Sequence, residues 1–196
     1  AISPDGRLIA FVARGGPQDP NTVYVRRLAS VAPQRLPGTE DAGQLFWSPD
    51  SHSIAFVSGG KLKKVEATGG PPQEICDAIN VIGADWSSDG TIVFGTSQGL
   101  MRVSAQGGQP QLLTTVESAE SGHYWPRFLP GGHRLLYLAW SGQSGARAIF
   151  ATSLDSKEKS KVMAGESKVA YADPGYLVFR RESAVYGLRF NPKTLA

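Results

Sequence analysis

The chain has 196 residues, of which 41% are apolar, and it contains a single cysteine. This length and composition allow a substantial core, whereas one cysteine excludes an internal disulfide and a cysteine-based metal framework. The formal net charge is +3, but the lysines and arginines are scattered and show no basic surface interleaved with aromatic residues, so we exclude nucleic-acid binding.

The first predicted element is the segment AISPDGRLIAFVARGG at the start of the chain, and it recurs. Later versions are LFWSPDSHSIAFVSGG, DWSSDGTIVFGTSQG, RFLPGGHRLLYLAWSG and YADPGYLVFRRE. Each has a polar turn followed by alternating apolar residues, and the turn residues are Asp5, Asp50, Asp89, Gly131 and Asp173. A period of about forty residues predicts a repeat architecture.

Each repeat contains four short runs of alternating or β-branched residues, such as LFW, SIAFVS, KLKKVEA and QEIC in the second repeat. Four short strands in a repeat of this length are typical of a propeller blade. We therefore predict an all-β protein, a β-propeller of four-stranded antiparallel blades with about four and a half blades and almost no helix. The predicted repeats span about 1–37, 44–76, 83–114, 124–164 and 168–196, the last being incomplete.

Turn chemistry supports these boundaries. In Ser-Pro-Asp-Gly, proline presets the first turn position, the Asp side chain can bond nearby backbone N–H groups, and glycine adopts the left-handed conformation. The similar segments EATGGPPQ and SAQGGQPQ predict hairpins between third and fourth strands, with glycine at positive φ.

The two ends fall inside blades, because the first repeat lacks its first strand and the fifth lacks its fourth. Propellers close with four to eight blades, and open strand edges favour pairing with another chain. We expect either a longer propeller, of six or more blades, or a homo-oligomer that buries the open edges.

No catalytic set is predicted. Gly95 to Gly99 match the Gly-x-Ser-x-Gly pattern of a nucleophile elbow, but this motif needs a strand-to-helix turn, and Ser97 lies between two short strands. His52 and His133 occupy polar turns, and the histidines show no metal-ligand spacing. Cys76 ends an apolar run and is expected to be a small buried residue. We predict no cofactor and no metal.

Candidate binding residues come from propeller geometry. Connections between second and third strands and those between blades leave the same face, and function is commonly carried by such loops. The ligand-binding residues predicted on this face are Asp41, Asn80, His123, Tyr124 and Arg147. Trp47 and Trp86 directly precede their turns and are expected to pack between blades, whereas Trp125 and Trp140 lie outside that position and are better candidates for function.

The repeats resemble those of TolB-like β-propellers, in particular the segments FWSPDSHSIAFVSGGKLKKVEATGG and ISPDGRLIAFVA. The segments GKLKKVEATGGPPQEICDA, HYWPRFLPGGHRLLYLAW and GYLVFRRESAVYGLRFNPKTL are similar to the C-terminal propeller of bacterial membrane-anchored serine/threonine kinases. Ser88 and Gly131 depart from the repeat pattern, and no kinase signature is present.

This resemblance implies a periplasmic or extracytoplasmic propeller. Two functions remain open. The first is a non-catalytic binding or sensor domain that recognises a protein, peptide or envelope ligand on its loop face. The alternative is the propeller that gates a prolyl-oligopeptidase-type serine peptidase, with its catalytic domain outside this chain. A structural scaffold with no ligand is a third possibility.

Overall fold

The computed structural model describes residues 1–143 and 145–195, and every regular element among them is a β-strand. The predicted all-β class is confirmed. No helix of the described residues is long and apolar enough to span a membrane. The chain divides into two compact units, one formed by residues 1–81 and 103–110 and the other by residues 82–102 and 111–196.

The first unit contains two antiparallel sheets. A three-stranded sheet has the order β1-β2-β3, and a four-stranded sheet has the order β4-β5-β6-β7. The strand bounds are β1 Leu8–Ala13, β2 Thr22–Arg27, β3 Gln34–Arg35, β4 Leu45–Trp47, β5 Ser53–Ser58, β6 Lys61–Glu66 and β7 Gln73–Asp77.

A core packs these two sheets together. Its fully buried side chains include Val23 and Leu36 from the first sheet region and Ile54 and Phe56 from β5. Trp47 belongs to this cluster and is 6% exposed, and its indole N–H donates to the Ala1 carbonyl at 3.1 Å. This tryptophan therefore packs between successive blades, as the sequence predicts.

The second unit contains the remaining strands apart from the last two residues of β10, and the strand pairs are antiparallel. Strands β8 to β11 form one blade, β12 to β15 a second, and β16 to β18 a three-stranded sheet. The bounds are β8 Ala84–Trp86, β9 Thr91–Thr96, β10 Gly99–Ser104, β11 Gln111–Leu112, β12 Gly122–Phe128, β13 Arg134–Trp140, β14 Ala148–Ser153, β15 Ser156–Ala164, β16 Val169–Ala172, β17 Tyr176–Arg181 and β18 Ala184–Arg189.

Two apolar clusters hold the second unit together. One joins Val93 and Leu100 to Leu135 and Tyr137 of β13. The other joins Leu136 of β13 to Leu177 of β17 and to Phe190, which follows β18. Strand β13 contributes alternate side chains to the two clusters, since successive residues point to opposite faces of a sheet. Both faces of this strand are therefore buried, and it reads as the continuous apolar run LLYLA.

The polar turns adopt the predicted geometry. The Asp50 side chain accepts bonds from the Ser48 hydroxyl at 2.5 Å and from the His52 amide at 3.0 Å. Ser51 takes the left-handed conformation with φ +63°. The bonds that Asp50 accepts lower the pKa of its carboxyl, with the Ser48 hydroxyl as the main cause.

The Gly-x-Ser-x-Gly match lies on a hairpin. Strand β9 ends at Thr96 and β10 begins at Gly99, so Ser97 is in an exposed two-residue turn. Gly95 allows a close approach of two backbone segments, because the backbone of β12 passes next to its α-carbon. A Cβ atom there would lie 2.5 Å from the His123 carbonyl oxygen and 2.8 Å from the Ile82 carbonyl oxygen.

We predict that Gly95→Ala lowers the free energy of unfolding by about 1–3 kcal/mol or more, because both obstructing oxygens belong to the backbone and cannot rotate away. Urea unfolding followed by tryptophan fluorescence measures the change. Gly142→Ala is the matched control, since a Cβ at Gly142 meets nothing within 4 Å, and its effect should stay within about 0.5 kcal/mol. Equal stability of the two variants would contradict the close approach.

Candidate functional site

The connections between second and third strands and those between successive sheets leave the same end of the strands in each unit. We call this the loop end. In the first unit, Asp41 lies between β3 and β4, and Asn80 follows β7. Both are exposed, with left-handed backbones at φ +57° and +52°, a conformation that Asp and Asn tolerate better than most residues.

A side chain joins these two connections of the first unit. The Gln44 amide nitrogen donates to the Val81 carbonyl at 3.1 Å, so the connection that contains Asp41 lies beside the one that contains Asn80. The Asp41 carboxylate and the Asn80 amide make no hydrogen bond or ion pair with other described residues. Their polar groups face solvent and can meet a ligand.

In the second unit, Tyr124 and Arg147 belong to one cluster with Trp125 and Trp140, which we call the aromatic–arginine cluster. The ring centroids are 6.1 Å apart for Tyr124 and Trp125, 6.5 Å for Tyr124 and Trp140, and 6.4 Å for the two tryptophans. The interplanar angles lie between 53° and 77°, as edge-to-face aromatic pairs prefer. Both tryptophans are half-buried, so part of each indole remains exposed. Tyr124 is buried at 9% exposure, and its hydroxyl donates to the Ser121 carbonyl at 3.0 Å, so the structure does not place this predicted ligand-binding residue at the surface.

Trp125 has an unusual backbone. Its φ is +50°, an outlier for a bulky residue. The register of β12 against β13 shifts between Tyr124 and Arg127, which marks a β-bulge. The Trp125 amide donates to the Ile82 carbonyl at 2.9 Å, and Gly83 leaves room for the Trp125 ring. Strain of this kind concentrates at functional sites, and bulges redirect side chains there.

The Arg147 guanidinium lies over the Trp140 ring, with its central carbon 3.6 Å from the ring centroid. Its Nε–H donates to the Ser141 carbonyl at 2.8 Å. No carboxylate of the described residues pairs with it, and none of their acceptors bonds its two terminal nitrogens. The Nε–H bond and the Trp140 ring therefore hold the guanidinium in place, and the N–H groups of its two terminal nitrogens remain available as donors.

His123 lies on the opposite side of β12 and is fully buried. The structure does not place its imidazole at the surface. Its Nδ1 is 2.6 Å from the Thr114 hydroxyl, and its Nε2 is 2.9 Å from a Glu120 carboxylate oxygen. Thr114 accepts from the Leu100 amide at 2.9 Å. Because the Glu120 carboxylate can only accept, the neutral imidazole carries its hydrogen on Nε2 and donates it to Glu120, and Nδ1 accepts from the Thr114 hydroxyl.

The polar network continues to the surface. Lys159 lies 3.3 Å from Glu120 and 2.7 Å from Glu117, and Glu120 also accepts the Glu117 amide at 2.8 Å. The side chains of Glu120, Lys159 and Glu117 are 11%, 22% and 66% exposed. We use the name polar network for Thr114, Glu117, Glu120, His123 and Lys159. It fastens the connection between β11 and β12 to β15.

Burial and pairing set the protonation states of this network. Burial lowers the pKa of His123, and Glu120 offsets this only in part. Burial on its own would raise the pKa of Glu120, but the Glu117 amide, His123 and Lys159 hold it below its ordinary value. The histidine is therefore neutral and the glutamate charged at neutral pH.

Thr114, His123 and Glu120 follow the hydroxyl–imidazole–carboxylate order of a nucleophilic triad. Their surroundings do not suit that chemistry, because Thr114 is 8% exposed and His123 fully buried, and the Thr114 oxygen already accepts the Leu100 amide. A nucleophile must reach its substrate with its base beside it. The arrangement is suited to holding a loop.

Sequence reasoning missed most of this network. Thr114, Glu120 and Lys159 are separated by up to 45 positions along the chain and match no motif. The buried hydroxyl of Tyr137 was also missed; its ring lies 4.6 Å from the His123 ring, and its oxygen has no partner among the described residues. The only sequence signal for the site was the position of Trp125 and Trp140 outside the place that tryptophan takes in the other repeats.

A separate shallow groove lies in the first unit, between β7 and residues 108–110. Lys61 lines it and is paired with Asp77 at 2.7 Å. Burial raises the pKa of the Cys76 thiol to about 11, so this thiol is a poor nucleophile at neutral pH.

Among residues 1–143 and 145–195, no group of three or more His, Cys, Asp or Glu side chains could hold a metal ion.

Solved structures with a similar backbone are β-propeller proteins. TolB from Acinetobacter baumannii superposes with a TM-score of 0.76 at 14% identity, covering 96% of this chain and 50% of that chain. A TolB-type protein from Agrobacterium tumefaciens gives 0.67 at 18% identity, covering 82% and 62%. The propeller domain of the trilobed protease from Pyrococcus furiosus gives 0.63 at 17% identity, covering 95% and 66%.

These likenesses show the fold, which is that of a TolB-like β-propeller with about four and a half blades in this chain. No model of a known protein family matches the sequence, and no curated protein matches it. The chain spans about half to three-fifths of the length of the two TolB chains.

The low pKa of His123 makes stability depend on pH. An unfolded histidine takes up a proton near pH 6.5 whereas the buried one resists it, so the unfolded state binds more protons and stability falls on acidification below about pH 6.5. We predict that the free energy of unfolding declines between about pH 7 and about pH 5.5 in the wild type, and less steeply in His123→Gln.

His52→Gln is the matched control, because the His52 side chain is 79% exposed whereas that of His123 is buried. Urea unfolding at several pH values supplies the slopes. A His123→Gln slope equal to that of the wild type would show that the imidazole does not resist protonation.

Proposed function

We propose that this chain is a non-catalytic binding module that recognises a protein or peptide segment at its loop end. The observation that carries this proposal is the aromatic–arginine cluster. Half-buried tryptophans beside an arginine with available donors are the residue types that dominate protein-recognition surfaces. The strained backbone of Trp125 supports it, because a bulky residue at φ +50° is retained where its position serves a purpose.

The polar network supplies the rigidity that recognition needs. It fastens the connection of residues 113–121, which leads directly into Tyr124 and Trp125, through one buried histidine and two carboxylates around Lys159. A pre-organised surface loses less conformational entropy on binding. In this proposal His123 and the buried Tyr124 position the loop of the second unit, and Arg147 meets the ligand there. Asp41 and Asn80 offer exposed polar groups at the loop end of the first unit.

The resemblance to propellers of bacterial envelope proteins and of membrane-anchored kinases extends the proposal. The module would act as a sensor in the periplasm or another extracytoplasmic compartment, with any kinase chemistry elsewhere in the parent protein. Sequencing of the whole gene tests this, since it reveals both the neighbouring domain and an export signal.

A peptidase-gating propeller is the second candidate. The observation that favours it is the likeness to the propeller domain of the trilobed protease, which covers 95% of this chain. A hydrolase domain encoded beside this segment would favour this alternative over a sensor.

We predict that a fluorophosphonate probe does not label the chain stoichiometrically. Ser97 lies on an exposed hairpin without a base, and Thr114 is buried beneath its loop. Intact-mass spectrometry after incubation reads out labelling. Stoichiometric modification that disappears in Ser97→Ala or Thr114→Val would contradict the non-catalytic assignment.

Binding itself is tested by selecting peptides on the chain from a random phage-displayed library and mapping them by ¹H–¹⁵N NMR. We expect shifts in the connections at residues 36–44, 78–83, 113–121 and 141–143. Shifts confined to the opposite hairpins, around Gly69 and Gly107, would overturn the assignment of the loop end.

A further inference from the structure

We propose that Arg147, held on Trp140, is a recognition site for a carboxylate of a peptide ligand. This inference rests on the binding function proposed above and names the chemistry that the second unit recognises. Three observations support it. The terminal N–H groups of the guanidinium have no acceptor among the described residues, the nearby carboxylates are already paired, and an aromatic surface lies beside the guanidinium.

The geometry fixes the direction from which a ligand can approach. The Trp140 ring covers one face of the guanidinium at 3.6 Å, and the Nε–H is bonded to the Ser141 carbonyl at 2.8 Å. The edge formed by the two terminal nitrogens is left, and it presents two parallel N–H groups. This edge matches the two oxygens of a carboxylate.

Local charges leave this cation unneutralised. Arg35 and Arg127 pair with Glu40 and Asp85, at 3.2 Å and 3.4 Å. Arg147 forms no such ion pair with the described residues. The acidic side chains of the neighbouring connection, Glu117 and Glu120, are already bound to Lys159. An anion that reaches Arg147 therefore need not displace an internal partner.

Position also favours an anion. Arg147 is half-buried, so a charge pair there is screened less than one in open solvent. Its side chain is already ordered by stacking and by the Nε bond, so little further rotamer entropy is lost on binding.

The aromatic surroundings favour a peptide over a bare anion. The half-buried Trp125 lies edge-on beside Trp140, and such a ring can contact the apolar part of a residue next to its carboxylate. The carboxylate could be the C-terminus of a peptide or the side chain of Asp or Glu. Both sources share the chemistry, and the experiment separates them.

Three pentapeptides serve as probes of the wild-type chain: acetyl-Gly-Ser-Gly-Ala-Phe with a free C-terminal carboxylate, the same peptide as its amide, and acetyl-Gly-Ser-Glu-Ala-Phe amide. NMR titration follows the Nε–Hε signal of Arg147 and the indole signals of Trp125 and Trp140. We expect a carboxylate peptide to bind about tenfold or more tightly than the neutral amide, with a shift at Arg147. The tighter of the two acidic peptides identifies the carboxylate source.

Variants connect the preference to the residue. Arg147→Ala should abolish the preference for a carboxylate, and Arg147→Lys should reduce it, because lysine keeps the charge but loses the planar pair of donors. Arg134→Ala is the matched control, because Arg134 lies at the end of β13 opposite to Trp140 and bonds the Lys193 carbonyl. This variant should keep the preference.

The proposal fails if the neutral amide binds as tightly as both acidic peptides to the wild type, or if Arg147→Ala keeps the preference. It also fails if inorganic phosphate at equal concentration shifts the Arg147 signal more than either carboxylate does, because the site would then be a phosphate site. The wild-type titration decides even where a variant is unstable. Phage-selected peptides that shift the loop end without regard to a carboxylate would overturn this inference alone and leave the binding function intact.

Discussion

The contact between β9 and β12 is the constraint on which the candidate site of the second unit depends. His123 pairs with Thr96 across the two strands, and the Trp125 amide donates to the Ile82 carbonyl. This crossing admits no side chain at Gly95. Because successive residues of a strand point to opposite faces, fixing His123 inward turns Tyr124 toward the other side. The bulge that follows brings Trp125 to that side as well.

One strand therefore carries two chemically different groups. The inner side holds an imidazole between a hydroxyl and a carboxylate, and burial keeps it neutral by lowering its pKa. The outer side holds tryptophan edges and a stacked guanidinium. Charges on the inner side are paired around Lys159, and a buried carboxylate without such a partner would be costly. Because Lys159 pairs with Glu117 and Glu120, the acidic connection between β11 and β12 is fixed to β15 without an unpaired buried charge.

Repetition explains how much of the fold could be predicted. The turn at Asp50 and the packing of Trp47 follow from local chemistry that recurs in other repeats of the chain, with departures at Ser88 and Gly131, so the repeats can be aligned with one another. The position of His123 could not be predicted in this way. Its surroundings SGHY suggest an exposed loop, but its burial depends on Thr114, Glu120 and Lys159, which come together only after strands β12 to β15 have paired. Tertiary contacts between unrelated positions leave no periodic signal.

The candidate site instead coincides with the place where the repeat is broken. Strand β12 has seven residues, whereas the corresponding strands β4 and β8 have three, and β15 has nine. The tryptophan of the repeat position, Trp47 in the second blade, corresponds to Phe128 here, and Trp125 lies further upstream on the added length. Packing between blades constrains the shared positions, and Trp125 packs against the apolar cluster of the second unit from outside them. A bulky residue on added strand, at positive φ and only half-buried, leaves part of its indole exposed, and the proposed binding function rests on this exposed part.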